Sequence, residues 1–295
     1  MRGLSVVEHI DSEGLPLRSE AKMGRLRIGA RRVEQLPENL AALVPELGDL
    51  MKAQTQGTIA DPLHLQRARY LLRQLPSEIH RAHLTGPGQQ VGSVTAGEQA
   101  EVLVQRLPPP TASGRPSAPN PGSLADSYLL GLTRPEIAEQ KERFCPQGKG
   151  DWMLAQRLRA WVATEIHSDM GMNFADAPTV LRQRRGDCSE KSLLLVALAR
   201  ACDIPARAVA GLIYHQGAFS GHMWTEVWTS DGWRPLDAAY GDGVVSAARI
   251  RLEELSLGAE AAEPALLAGR ALALGMKVEI LESSEDRKPT SPSSP

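Results

Sequence analysis

The chain has 295 residues, 42% hydrophobic and 23% charged, which is enough apolar material for a large core and excludes a wholly disordered, collagenous or coiled-coil protein. A formal net charge of -2 and a pI near 6.4 provide no global field favouring nucleic acid or an anionic membrane surface as partner. The opening MRGLSVVEHIDSEG lacks the apolar core of a secretory signal, and no later stretch reaches the roughly 18 apolar residues a spanning helix needs, so the expectation is a soluble, cytoplasmic protein without membrane association.

Strand-like pieces at Leu4–Ile10 and Leu15–Val33 suggest a small opening sheet. Helical spacing of Leu40, Leu43, Val44, Leu47 and Leu50 predicts a helix over Glu38–Lys52, and Leu63, Leu65, Ala68, Leu71 and Leu72 predict a second over Pro62–Leu75, with Arg67, Arg69 and Arg73 on its solvated face. VGSV and EVLVQ, within Gln90–Gln105, are of strand length. The Pro-, Ser- and Gly-rich run 107–123 cannot bury enough apolar surface to fold and is a linker; the tail 283–295 has the same composition and is expected to be disordered. The organisation expected is an N-terminal β/α region over 1–106, that linker, and a main domain over 124–282. Beyond the linker, helices are predicted at Ser127–Leu132, Arg134–Phe144 and Asp151–Ile166, the last with a stripe of Leu154, Leu158, Trp161, Val162 and Ile166.

The segment RRGDCSEKSLLLVALARACDIPARAVAGLIY carries the chemistry. Asp187 followed three residues later by Glu190 has capping-box spacing, which puts Cys188 at the first helical position, where the helix dipole and unpaired N–H groups favour a thiolate. Cys202, at the opposite end of that helix beside Asp203, reads as packing, and Cys145 as an ordinary small residue. Three cysteines without C-x-x-C spacing indicate neither a disulfide framework nor a zinc site, and no metal or cofactor is expected. After Pro205 comes a strand, then a loop with His215, then HMWTEVW with His222, Trp224, Glu226 and Trp228 on one face. TSDG is a turn signal, and Trp233–Asp237 returns. A loop of Ser230 and Asp231, or one of Thr229 to Gly232, sets Asp237 opposite Trp224 and His222 opposite Ala239, so His222 and Asp237 are diagonal neighbours on one face; a three-residue loop would put them on opposite faces unless a bulge restored phase. The carboxylate can then orient the imidazole, whose other nitrogen faces a nucleophile.

These blocks resemble the transglutaminase-like superfamily: Gly186, Asp187 and Cys188; Ile204, Pro205, Ala206 and Arg207; His222, Trp224, Glu226 and Val227; then Trp233, Leu236 and Asp237. The match covers about residues 150 to 245, and weaker similarity extends to the N-terminal region and to MKVEI near the end. The resemblance implies an α+β, papain-like core in which a helix bearing the nucleophile packs on an antiparallel sheet. It implies Cys188 as nucleophile, His222 as general base and acid, and Asp237 as the orienting group, acting on amide or peptide substrates through a thioester, as a protease, amidase or transamidase. The oxyanion would be held by the Cys188 N–H and an upstream donor, for which Trp161 and Asn173 are candidates. His215 is a rival base without the Trp-x-Glu pattern, and Arg207 and Glu226 read as structural. A protein or peptide is the expected substrate; a non-catalytic interaction module keeping the fold is the alternative.

Overall fold

A computed structural model describes residues 5–10, 16–23, 26–31, 52–75, 79–95, 98–111, 119–147, 150–169, 175–241, 245–255, 257 and 275–285. Strands β1 (Ser5–Ile10), β2 (Pro16–Met23) and β3 (Leu26–Arg31) form an antiparallel sheet, in line with the strands expected there. The helix expected at Glu38–Lys52 lies outside the described residues except for Lys52, which opens β4 (Lys52–Gln56).

Residues Leu65–Arg73 correct the sequence reading: they form strand β5, not a helix. The spacing of Leu65, Ala68 and Leu72 suits a helix, but from Ala68 onward the buried residues are Ala68, Tyr70 and Leu72, a period of two, with Arg67, Arg69 and Arg73 turned outward. Neighbouring strands supply partners for that basic face: Arg69 pairs with Glu101, and Arg73 donates to Gln99 at 2.8 Å. A short helix, α1 (Arg81–Leu84), leads to β6 (Gln89–Thr95) and β7 (Gln99–Gln105). Within the expected linker, Pro121–Ser123 makes a 3-10 turn and Thr111 is held by the Asp231 carboxylate. Ser127–Leu132, expected helical, is a run of turns that ends at Gly131, whose φ of +56° suits glycine, four residues before Pro135.

Helices α2 (Pro135–Phe144) and α3 (Trp152–Glu165) fall where the apolar periodicity puts them. Next come β8 (His167–Ser168), α4 (Ala177–Gln183), β9 (Arg185–Gly186) and α5 (Cys188–Ala201). Four strands follow: β10 (Ala206–His215), β11 (Ala218–Thr229), β12 (Gly232–Leu236) and β13 (Arg249–Glu254). Strand β14 (Lys277–Glu285) closes the described chain and runs three residues into the segment expected as tail.

One nine-stranded sheet joins the two halves of the chain, in the order β13-β10-β11-β4-β14-β5-β7-β6, with β12 paired to β11. Residues 52–105 therefore share a sheet with the segment that carries the motifs, and side chains reinforce the join. Tyr70 donates to the Ala247 carbonyl at 2.8 Å and packs edge-on against Phe219, while Gln89 bonds both ways with the Arg251 backbone. Helix α5 is the centre of the core: every residue from Ser189 to Ala201 is buried, against β10 and β11 on one side and α2, α3 and α4 on the other.

The cysteines correct the expectation of three free thiols. Cys145, at the C-cap of α2, and Cys202, at the C-cap of α5, are disulfide-bonded, leaving Cys188 free. Their sequence separation of 57 conceals the pairing from any local pattern.

Candidate active site

The start of α5 follows the sequence logic closely. Asp187 is the N-cap: its carboxylate accepts from Ser189 N–H at 2.8 Å and from the N–H of Glu190, while the Glu190 carboxylate accepts from Asp187 N–H at 2.9 Å. Gly186 allows this closeness, because a Cβ there would lie 2.5 Å from Glu190 Cβ. Cys188 is the first helical residue and half-buried. Its own N–H has no partner among the described residues, so one helix-start donor remains open beside the sulfur.

Strand β11 brings His222. Its hairpin with β12 has the two-residue loop Ser230–Asp231, pairing Thr229 with Gly232 and Thr225 with Leu236, which is the register that puts His222 and Asp237 diagonally together. The edge of β11 opposite β10 is paired at Phe219 and Ser220 with β4 and from Thr225 to Thr229 with β12, leaving a notch at residues 221–224. The start of α5 reaches this notch, and the Met223 N–H donates to the Cys188 sulfur. The thiol therefore sits one residue along the backbone from His222. Across β11, Gly211 pairs with His222; a Cβ at Gly211 would lie 2.2 Å from the Ile250 carbonyl and 2.5 Å from the Trp224 ring, which stacks on His222 at 6.3 Å between centroids.

Asp237 is fully buried and every lone pair is engaged. Oδ1 accepts from Ala239 N–H at 2.8 Å and Tyr240 N–H at 3.1 Å. Oδ2 lies 2.8 Å from His222 Nε2 and accepts from Arg249 Nε at 3.0 Å and Nη2 at 2.9 Å. Burial alone would raise this carboxyl, but His222, Arg249 and the Ala239 N–H outweigh it and hold the group ionised well below the usual carboxylate range. With Nε2 committed to Asp237, Nδ1 is the nitrogen left for a thiol.

The thiol departs from expectation. Burial pushes Cys188 up to about 11, with Asp237 and Glu190 adding to the rise, against the Met223 N–H and Ser189, which lower it. The helix start favours the thiolate, and burial opposes it.

The other residues singled out in the sequence lie elsewhere. Trp161 packs against Phe144 at 5.3 Å, with Arg143 and Arg184 over its ring, and its indole N–H is buried without a partner among the described residues; none of these ring contacts is Cys188, His222 or Asp237. Asn173 lies outside the described residues. His215 sits exposed near the β10–β11 turn, its Nδ1 2.7 Å from the Tyr240 hydroxyl. Arg207 and Glu226 form a structural network, with Nε to Oε2 at 2.7 Å, Arg207 over the Trp233 ring and Arg251 3.6 Å from Glu226. Sequence reasoning missed Arg249 and Lys191. Arg249 belongs to no motif, whereas a lysine inside the apolar run one turn after Cys188 was a usable signal. Among the described residues no group of three or more His, Cys, Asp or Glu is arranged to hold a metal, and no helix is long and apolar enough to cross a membrane.

Residues 142–238 match the family model described as the transglutaminase-like superfamily core. No curated protein matches the chain. Among solved structures, a proposed cysteine protease from Cytophaga hutchinsonii aligns at 13% identity and TM-score 0.46, over 77% of this chain and 90% of that one. The periplasmic domain of TgpA from Pseudomonas aeruginosa aligns at 18% identity and TM-score 0.42, over 66% and 77%. Red sea bream transglutaminase aligns at 12% identity and TM-score 0.30, over 81% and 57%. The matched segment spans α5, β10, β11 and β12 and contains Cys188, His222 and Asp237, and the chain thus carries a transglutaminase-like domain of α+β fold over residues 142–238.

Proposed function

We propose that Cys188, His222 and Asp237 act as a catalytic triad for acyl transfer on amide or peptide bonds. The observation that carries this reading is the buried 2.8 Å contact between His222 Nε2 and Asp237, which fixes the imidazole on the strand whose next N–H, that of Met223, donates to the Cys188 sulfur. In the reaction, His222 Nδ1 takes the thiol proton as Cys188 Sγ attacks the substrate carbonyl, and the oxyanion forms beside the Cys188 N–H. The imidazolium, stabilised by Asp237, then protonates the leaving amine as the C–N bond breaks, leaving a thioester. Water or a second amine attacks that thioester with His222 again as base, which regenerates the thiol and gives hydrolysis or transamidation. The substrate partner is a peptide or protein.

The Cys145–Cys202 disulfide supports a place in a non-reducing compartment in preference to the cytoplasm expected from the sequence.

The test is labelling of Cys188 by iodoacetamide across pH in wild type, Cys188→Ala and His222→Ala. Base assistance makes the wild type react at neutral pH, His222→Ala react only at high pH, and Cys188→Ala not react at that position. If wild type and His222→Ala share one profile, His222 is not the base, and a non-catalytic role for the domain is the better reading.

A further inference from the structure

The triad leaves one buried charged group beside it without a task. Lys191 lies three residues after Cys188 on α5, so the two side chains neighbour each other on one helix face, and helical side chains lean back towards the N-terminus. Its residue exposure is 4%, yet the ammonium has a single hydrogen bond, Nζ to Ser168 Oγ at 3.0 Å, and no carboxylate within ion-pair distance among the described residues. Ser168 is in register with Gly186, two residues before Cys188, which anchors the ammonium at the nucleophile's end of the helix rather than along its flank. The charged and titratable groups in electrostatic reach are Cys188 on its own helix and Asp237 beyond β12, the latter already saturated by His222, Arg249 and two backbone N–H groups. An ammonium has three donors, so two remain to be used.

Burying such a cation is costly unless an anion compensates it at some stage. The anion that this chemistry generates next to Cys188 is the tetrahedral oxyanion, and the Cys188 N–H is a backbone donor open beside it. We infer that Lys191 is a catalytic residue that supplies the second oxyanion donor, its Nζ joining the Cys188 N–H on the oxygen of the tetrahedral intermediate. The inference rests on the acyl-transfer reading above. It assigns a second donor at the start of α5, a place to which the ring contacts of Trp161 do not extend.

Two small electrophiles separate this role from a structural one. p-Nitrophenyl acetate acylates a thiol through a tetrahedral intermediate: the S–C bond forms, the C–O bond breaks, p-nitrophenolate leaves, and the thiol proton passes to His222 and then to solvent. Iodoacetamide alkylates the same sulfur by displacement, with no oxyanion. Lys191→Met keeps the length and apolar stem and removes a buried charge, so the fold is expected to survive, as a melting curve would verify. The expected result is a fall of about 10²-fold in the acetylation rate of Cys188 with the iodoacetamide rate held within about threefold. Equal acetylation rates in wild type and Lys191→Met, or equal losses with both reagents, would overturn the proposal.

A second readout needs no variant. Burial lowers the Lys191 ammonium below the ordinary lysine range, so the wild-type ratio of acetylation to alkylation falls at high pH at a point below that of a free lysine, and the ratio in Lys191→Met is flat. A flat wild-type ratio counts against the proposal. Wild-type protein that is not acetylated at Cys188 at all would instead overturn the acyl-transfer reading, and the role of Lys191 with it.

Discussion

Replacing Arg249 by methionine tests whether Asp237 is held in place by its partners. The guanidinium is 1% exposed and the carboxylate 0%, with contacts of 2.9 and 3.0 Å, so solvent screening is absent and the whole pair is desolvated. Removing one member of such a pair costs about 3–5 kcal/mol, because the remaining carboxylate stays buried with only His222 and two N–H groups to balance it. The pH dependence has a definite sign. In wild type the folded carboxyl lies below its unfolded value of about 3.9, so its contribution is fully present above that pH and is lost as pH falls through the folded value. In Arg249→Met the folded value rises towards or past the unfolded one, so the deficit is full at pH 7 and narrows below about pH 4. Urea unfolding at pH 7 and pH 3.5 measures the full deficit and the onset of its narrowing. The same substitution in an Asp237→Asn background should cost at least about 2 kcal/mol less, since no buried anion is then stranded. A deficit under about 1 kcal/mol at pH 7, or equal deficits in the two backgrounds, would refute the idea that Arg249 acts through Asp237.

Three further outcomes follow from single features. In His222→Ala the burial of Cys188 persists, so its alkylation rate should reach half-maximum near pH 11, against about 8.5 for an exposed cysteine; a value at or below 8.5 contradicts the desolvation account. Gly211→Ala puts a methyl 2.2 Å from the Ile250 carbonyl and against the Trp224 ring, and should cost about 1–3 kcal/mol in urea unfolding, whereas a neutral substitution would mean that β10 and β13 yield easily there. Replacing Cys145 and Cys202 by serine should lower unfolding free energy by about 4 kcal/mol for their separation of 57 residues, with dithiothreitol lowering wild type alike and the double variant no further.

What could be read from the sequence was what local physics determines. The Asp187–Glu190 box placed Cys188 at a helix start, and TSDG marked a turn whose two-residue and four-residue forms both bring Asp237 to His222. Local reasoning failed where two periods share positions: Leu65, Ala68 and Leu72 suit a helix stripe, and only the burial of Tyr70 reveals a strand. It also failed where partners are distant. Arg249 finds Asp237 from a separate strand, Cys145 finds Cys202 across three helices, and Tyr70 reaches Ala247 through the joined sheet. The strength of desolvation at Cys188 was hidden for the same reason, since the groups that bury it come from other elements.

Helix α5 is buried on nearly every side, and its first residue is the free cysteine Cys188. A nucleophile on a rim loop could be displaced by a local opening while the domain stayed intact. Here the amides of Leu193 to Leu198 should exchange with solvent deuterium only when the whole core opens, because nothing smaller exposes them. The free energy of that exchange and the free energy of losing the site are then one quantity.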